Sequence, residues 1–306
     1  MEKKSRVCVT GAAGYIGSWL CKKLLEKGHT VHATLRNPDD PSKTGLLKSL
    51  PNASTGLVLF RADIYSPEEF EPAIRGCEFV FHIANPFFPD TNNSKYENLW
   101  EVVVAGAKTI LEYCIRSGTV KRFIYTASVT AASPLKEDSS GFKDSIDESC
   151  WTPLHLSFAY CTSLELGYIY SKTLSEKEAL MYSNKEEGGF EVVTLACGLV
   201  SGDTLLSYIP PSMEVAISPL TGNINSYRQL QFLRGLVGSV PSVHIDDVCE
   251  AHVFCMEQSS MSGRFLCACS YPTVAEISKY YKDNCKEFII PEGLQQGPER
   301  GVGCGF

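Results

Sequence analysis

Apolar positions along this chain follow two alternating rhythms. Arg6 to Thr10 is a short apolar run that ends at glycines, and Gly14 to Gly28 follows with Ile16, Leu20, Leu24 and Leu25 at helical spacing, which predicts strand, tight turn and helix. Thr30–Leu35, Leu57–Phe60, Phe79–Ile83 and Arg122–Thr126 read as four further strands, with helices over Pro67–Arg75 and Trp100–Cys114 between them. Short β-rich runs alternating with helices imply βαβ units, hence a parallel sheet with right-handed crossovers. From about residue 200 the pattern loosens. Residues 202–225 carry prolines at 210, 211 and 219 and no long periodic segment. A helix with Asp246 or Asp247 near its start, a strand over Gly263–Ala268 and a helix over Thr273–Tyr281 complete the chain. The expected division is an α/β, doubly wound core over residues 1–195 and a smaller, irregular lobe over 196–306, with some segments returning to the core.

Composition narrows the function classes. A chain of 306 residues that is 44% hydrophobic and 21% charged is neither disordered nor fibrous. A net charge of -7 opposes binding to nucleic acid or an anionic membrane surface, so any anionic ligand must be held by a local patch. No run approaches the roughly 18 apolar residues of a membrane span, and the charged Met1–Arg6 leads into no signal-peptide core. The thirteen cysteines are scattered, mostly within apolar runs such as Val7-Cys8-Val9, and no Cys-x-x-Cys occurs. They read as reduced core thiols of a cytoplasmic protein without a metal site.

The glycines after the first strand carry the first chemical signal. In Gly11-Ala12-Ala13-Gly14-Tyr15-Ile16-Gly17, Gly11 permits the tight turn, Gly14 lets backbone N–H groups approach a pyrophosphate, and Gly17 allows close packing of helix on strand. That arrangement predicts a Rossmann dinucleotide site. An acidic residue at the end of the second strand would bind a free ribose 2′-hydroxyl; here Leu35 is followed by Arg36. A guanidinium suits a 2′-phosphate, and one charge-assisted bond of about 1.5 to 3 kcal/mol favours NADP over NAD by roughly ten- to 150-fold. Lys43 adds a second positive charge from the next loop, and Asp63, after the third strand, is placed either to contact the adenine amine or to cap a turn. Tyr15, Ile16, Ile64 and Ala84 complete the expected cofactor contacts.

Tyr168 and Lys172 lie one helical turn apart on a long amphipathic helix that the pattern opens at Tyr168 and runs to about Asn184. A phenol titrating near pH 10 is a poor proton source or sink at neutrality unless its anion is stabilised. An ammonium about 5 Å away contributes about 3 kcal/mol at an effective dielectric near 20, which brings the phenol down by roughly two pH units. A hydroxyl to polarise a carbonyl is offered by the end of the fifth strand, where Ser128 is the first choice and Thr126 and Thr130 are alternatives.

The glycine triplet, Ser128 and Tyr168-x-x-x-Lys172, in that order, resemble the extended short-chain dehydrogenases/reductases. Gly14–Leu20, Arg122–Thr126, Ser171–Glu176 and Val243–Val248 resemble the plant dihydroflavonol reductase group, and Ile217–Asn223, Gly238–Val240 and Asp246–His252 look most like its anthocyanidin reductases. The resemblance covers about residues 5 to 290. It implies an NADPH-dependent reductase with Ser128, Tyr168 and Lys172 as triad, acting on a small flavonoid-like or other aromatic substrate at a carbonyl or a conjugated double bond, as a monomer or homodimer. The chain departs from the group in three places. Ser133 stands where an Asn usually binds substrate hydroxyls, Ala196-Cys197-Gly198 replaces a Pro beside the nicotinamide, and the end at Phe306 looks short for the group. Ser133, Phe87, Phe88, Phe158, Tyr208 and Tyr227 are the expected lining of the substrate site. Two other readings share these motifs: a nucleotide-sugar epimerase or dehydratase, against which Arg36 argues, and a non-catalytic NADP(H)-binding protein, against which the intact Tyr168 and Lys172 argue.

Overall fold

A computed structural model describes residues 4–86, 96, 98–183 and 189–288. Its centre is a seven-stranded parallel sheet in the order β3-β2-β1-β4-β5-β6-β9, formed by β1 (Arg6–Thr10), β2 (Thr30–Leu35), β3 (Leu57–Arg61), β4 (Phe79–His82), β5 (Arg122–Ser128), β6 (Glu191–Cys197) and β9 (Gly263–Cys267). Alternation along each strand sends one set of side chains to each face. Val7, Val9, Ile124, Val193 and Leu195 bury against α1 (Tyr15–Glu26) and α7 (Ile245–Glu257). Cys8, Val80, Phe123, Tyr125 and Ala196 bury on the other face, with Val102, Ile110 and Leu111 of α3 (Leu99–Ser117) and Ala179 of α4 (Ser163–Met181). With both faces covered, the central strands read as continuous apolar runs, as buried parallel strands do.

The chain reverses its winding direction between β1 and β4, and in open parallel sheets the crevice at that switch point, beyond the carboxyl ends of the strands, is where ligands bind. Helices α1 and α7 flank it, locked together by Trp19 Nε1 donating to Asp246 Oδ1 at 2.9 Å and by Lys23 paired with Asp246 at 2.9 Å and Glu250 at 2.6 Å.

Beyond residue 198 the chain alternates between the crevice and the core. β7 (Leu199–Ser201) pairs with β8 (Ser242–His244), and helices α5 (Pro211–Ala216), α6 (Ile224–Val237) and α8 (Val274–Asn284) pack beside them, whereas α7 and β9 return to the central layers. The pattern missed α6, whose buried face carries the polar Ser226 and Gln231 among its apolar residues. It also predicted one helix over Pro67–Arg75, where the structure has a 3₁₀ turn at Pro67–Phe70 and a single α turn at Glu71–Ile74. Pro72, with no N–H to give, divides them. The helix α2 (Pro41–Lys48), after β2, starts at Asp40, whose carboxylate accepts from Ser42 N at 2.9 Å.

Candidate functional site

The glycine turn follows β1 directly. Gly11 has φ +67, in the left-handed region, and a Cβ there would press on the Ala84 backbone; a Cβ on Gly17 would overlap the Gly11 carbonyl. Thr10 braces the opposite wall, its hydroxyl accepting from Ile83 N and Ala84 N, each at 3.0 Å. Gly14 caps α1 with extended backbone and no side-chain acceptor, so the first N–H groups of a 12-residue helix stand open toward the crevice, as a diphosphate requires. Tyr15 is partly buried; its hydroxyl is enclosed with no hydrogen-bond partner among the described residues, and burial with nearby Asp203 pushes the phenol up to about 12. Ile16 is partly buried, its carbonyl accepting from Cys249 Sγ at 3.8 Å. The site therefore fits a dinucleotide.

Around the adenosine end the predicted residues have diverse settings. Arg36 follows β2 at the surface, with no ion pair among the described residues. Lys43 lies in the first turn of α2 with its ammonium 5.0 Å from the centre of the Tyr208 ring. Asp63 Oδ1 accepts from Tyr65 N at 3.1 Å, the turn-capping arrangement. Ile64 is 5% exposed, packed against Gly106 of α3.

The residues expected to transfer the proton come together at the end of β5 and along the first half of α4. Strand β5 runs two residues past the predicted Thr126, so Ser128 is its last residue. The Ser128 hydroxyl oxygen accepts from Thr130 N at 3.2 Å and Thr130 Oγ1 at 3.0 Å, and Ser128 is hydrogen-bonded to the Tyr168 phenol. Because Thr130 supplies protons to that oxygen, the proton of Ser128 itself is available to Tyr168 or a ligand. Of the alternatives, Thr126 is turned away to His252 Nε2 at 2.7 Å, and Thr130 stands behind Ser128. Helix α4 begins at Ser163, five residues before Tyr168, through a capping box between Thr162 and Glu165; Tyr168 lies in its second turn rather than opening it. Lys172, 4% exposed, donates to Thr126 O at 2.8 Å and holds its ammonium 5.9 Å from the Tyr168 ring centre.

Electrostatics correct the expected activation of Tyr168. Burial outweighs the neighbouring charge: the phenol is pushed up to about 12, with the Ser128 hydrogen bond opposing, and burial draws Lys172 down to about 8. In the protein alone Tyr168 is a firmly protonated phenol, the state a proton donor needs.

The expected substrate lining is only partly assembled. Ser133 is completely buried and its hydroxyl is spent on the backbone, donating to Leu236 O and accepting from Leu135 N at 3.1 Å, so it is withheld from a substrate. An Asn side chain reaches farther than the short Ser133, which the backbone captures instead. Tyr227 faces α8, packed with Val215, Leu230, Val240 and Val274 and accepting from Gln231 Nε2 at 2.9 Å, away from the triad. Tyr208 is exposed beside Lys43, and Phe158 packs against the cluster of Leu135, Ile169 and Phe232. Phe87 and Phe88 lie outside the described residues. Sequence spacing did not single out Thr10, which sits in an ordinary strand end, and it named Thr130 as an alternative donor rather than as the group behind Ser128.

Sheet order, glycine turn and the Ser128–Tyr168–Lys172 cluster together define a dinucleotide-dependent reductase of the short-chain type. The sequence model of the "NAD dependent epimerase/dehydratase family" matches residues 7–267. A dihydroflavonol 4-reductase of Arabidopsis thaliana is 35% identical over 96% of this chain and 73% of its own length, and an anthocyanidin reductase ((2S)-flavan-3-ol-forming) of Vitis vinifera is 34% identical over 97% and 86%. The crystal structure of vestitone reductase from alfalfa (Medicago sativa L.) superposes with a TM-score of 0.76 at 35% identity, covering 98% of this chain and 88% of that one. The chain belongs to the NAD dependent epimerase/dehydratase family and, within it, to the group of dihydroflavonol and anthocyanidin reductases. No helix among the described residues is long and apolar enough to cross a membrane.

Proposed function

We propose that this protein is an NADPH-dependent reductase of a flavonoid-like carbonyl or conjugated double bond, with Tyr168 as proton donor. The observation that carries the reading is the hydrogen-bonded Ser128–Tyr168 pair with Lys172 beneath it, at the mouth of a crevice whose glycine turn fits a diphosphate. The dinucleotide supplies hydride. Ser128, backed by Thr130, donates to the substrate oxygen and concentrates developing negative charge there. Tyr168 delivers its phenolic proton to that oxygen, and the resulting phenolate is stabilised by the Lys172 ammonium, itself held in place by the Thr126 carbonyl. Lys172 would also hold the nicotinamide ribose hydroxyls, while Arg36 and Lys43 would hold the 2′-phosphate and the free oxygen of Asp63 the adenine amine. Tyr15, Ile16, Ile64 and Ala84 line the same cleft. Residues 1–195 thus bind the cofactor and 196–306 chiefly close over the substrate, in a cytoplasmic monomer or homodimer. Arg36, in place of a carboxylate, separates this reading from a nucleotide-sugar epimerase.

Tyr168→Phe is expected to lower turnover at least 100-fold, a typical loss for a general acid, while NADPH binding followed by fluorescence stays within a few-fold of the parent. Unchanged turnover contradicts the assignment; turnover and binding lost together show a structural role instead.

A further inference from the structure

Two thiols stand unused beside this cluster. Cys197 ends β6 and Cys267 ends β9, and the parallel register sets them directly opposite each other. Neighbouring strands lie about 4.8 Å apart, inside the roughly 4.4 to 6.8 Å between Cα atoms that a disulfide accommodates. The Cys197 thiol, which donates to Leu195 O at 3.5 Å, also lies within hydrogen-bonding reach of the Cys267 thiol. Their exposure differs: Cys197 is 4% exposed, whereas Cys267 is partly open to solvent. Cys8, Cys77 and Cys114 also interact with one another, yet all three are sealed in the core. Cys197 is a near neighbour of both Lys172 and Tyr168.

We propose that Cys197 and Cys267 form an oxidative modification site, in which a hydroperoxide converts the dithiol to a disulfide that draws the ends of β6 and β9 together beside Lys172 and weakens NADPH binding. Cys267 is the more accessible of the two, and the neighbouring Cys197 thiol holds it below its ordinary range, so Cys267 reacts first. Its sulfur attacks the outer oxygen of the hydroperoxide; the O–O bond breaks, the inner oxygen leaves with the thiol proton as alcohol or water, and Cys267 becomes a sulfenic acid. The Cys197 sulfur then attacks that sulfur. The S–S bond forms, the S–O bond breaks, and the hydroxyl leaves as water with the Cys197 proton. Two thiols have given up two electrons and one hydroperoxide has taken them.

The effect on NADPH rests on the cofactor reading above; the cross-link itself does not. Full-length reduced protein treated with hydrogen peroxide is mapped by mass spectrometry without reduction, and NADPH affinity is measured before oxidation, after it and after dithiothreitol. A Cys197–Cys267 cross-linked peptide, a several-fold loss of affinity and its return on reduction are expected, while Cys267→Ser, or Cys267→Ala should serine misfold, gives neither cross-link nor loss. Overoxidation of Cys267 without a cross-link overturns the proposal. So does a cross-linked protein that binds NADPH as tightly as the reduced one, or an equal loss of affinity in the Cys267 variants. Failure of the reduced protein to bind NADPH counts against the cofactor reading, and the cross-link map still decides whether the site exists.

Discussion

In the proposed mechanism Ser128 is the donor because of what stands behind it. Its oxygen is already saturated by the backbone and side chain of Thr130, so its own proton points outward. Thr130→Val keeps the shape and removes one of those donors, leaving Ser128 free to rotate its proton inward. A lost buried hydrogen bond of about 1 to 2 kcal/mol corresponds to a roughly ten-fold lower kcat, with the KM for NADPH unchanged; steady-state kinetics on the purified variant check this, and equal changes in kcat and KM point away from the triad. Sequence spacing pointed to Ser128, Tyr168 and Lys172, which the fold brings together, since their order after a glycine turn is itself a signal. It did not reveal Thr130 as a support, and it misjudged Ser133, because which oxygen a short hydroxyl finds depends on the fold around it. The balance of burial and charge that leaves Tyr168 at about 12 and Lys172 at about 8 was equally hidden.

At the level of elements, the helix that bears Tyr168 and Lys172 is pinned by groups outside the proposed triad. Arg264 of β9 donates to Glu176 of α4 at 2.8 Å, one turn beyond Lys172, and its guanidinium also reaches the carbonyls of Ala131, Glu148 and Cys150 while stacking 3.7 Å from the Trp151 ring centre. Glu176 is wholly buried and accepts in addition from Thr194 Oγ1 at 2.7 Å. One cation thus ties the turn after Ser128 to the helix that bears Tyr168. Removing it strands a buried carboxylate, which costs on the order of 3 to 5 kcal/mol. Arg264→Ala is therefore expected to lower the urea midpoint of unfolding sharply, and a shift of the size seen for an ordinary surface substitution contradicts this role. The same burial of polar groups explains why α4 was read as starting at Tyr168. Glu165, Ser171, Lys172, Ser175 and Glu176 are all buried, so its inner face does not look apolar in the sequence. Strands β1 and β2, buried among apolar neighbours, matched their predicted limits.

Across the whole molecule, two histidines are buried as neutral rings, His82 at the end of β4 and His252 on α7. Burial holds His82 at about 3, with Lys172 adding to the effect, and His252 at about 4; their partners are Thr10 and Thr126. The unfolded chain takes up these protons below about pH 6.5, whereas the folded protein does not until pH 3 to 4. Stability is thus complete above pH 6.5 and falls as pH is lowered toward 4, each histidine contributing on the order of 3 kcal/mol to the loss. Chemical denaturation at pH 7 and pH 5 checks this, and equal stability at the two contradicts it. Fold, glycine turn and the Ser128–Tyr168–Lys172 cluster support one proposed reaction, the reduction of a flavonoid-like substrate by NADPH. The most direct test follows NADPH oxidation by the purified protein across dihydroflavonols, anthocyanidins and vestitone, with products identified by mass. The account predicts a reduced product formed in step with NADPH consumed, and NADPH preferred to NADH by roughly ten-fold or more, as one charge-assisted bond to the 2′-phosphate dictates. NADPH bound but not oxidised by any of these substrates, or NADH preferred, would contradict it.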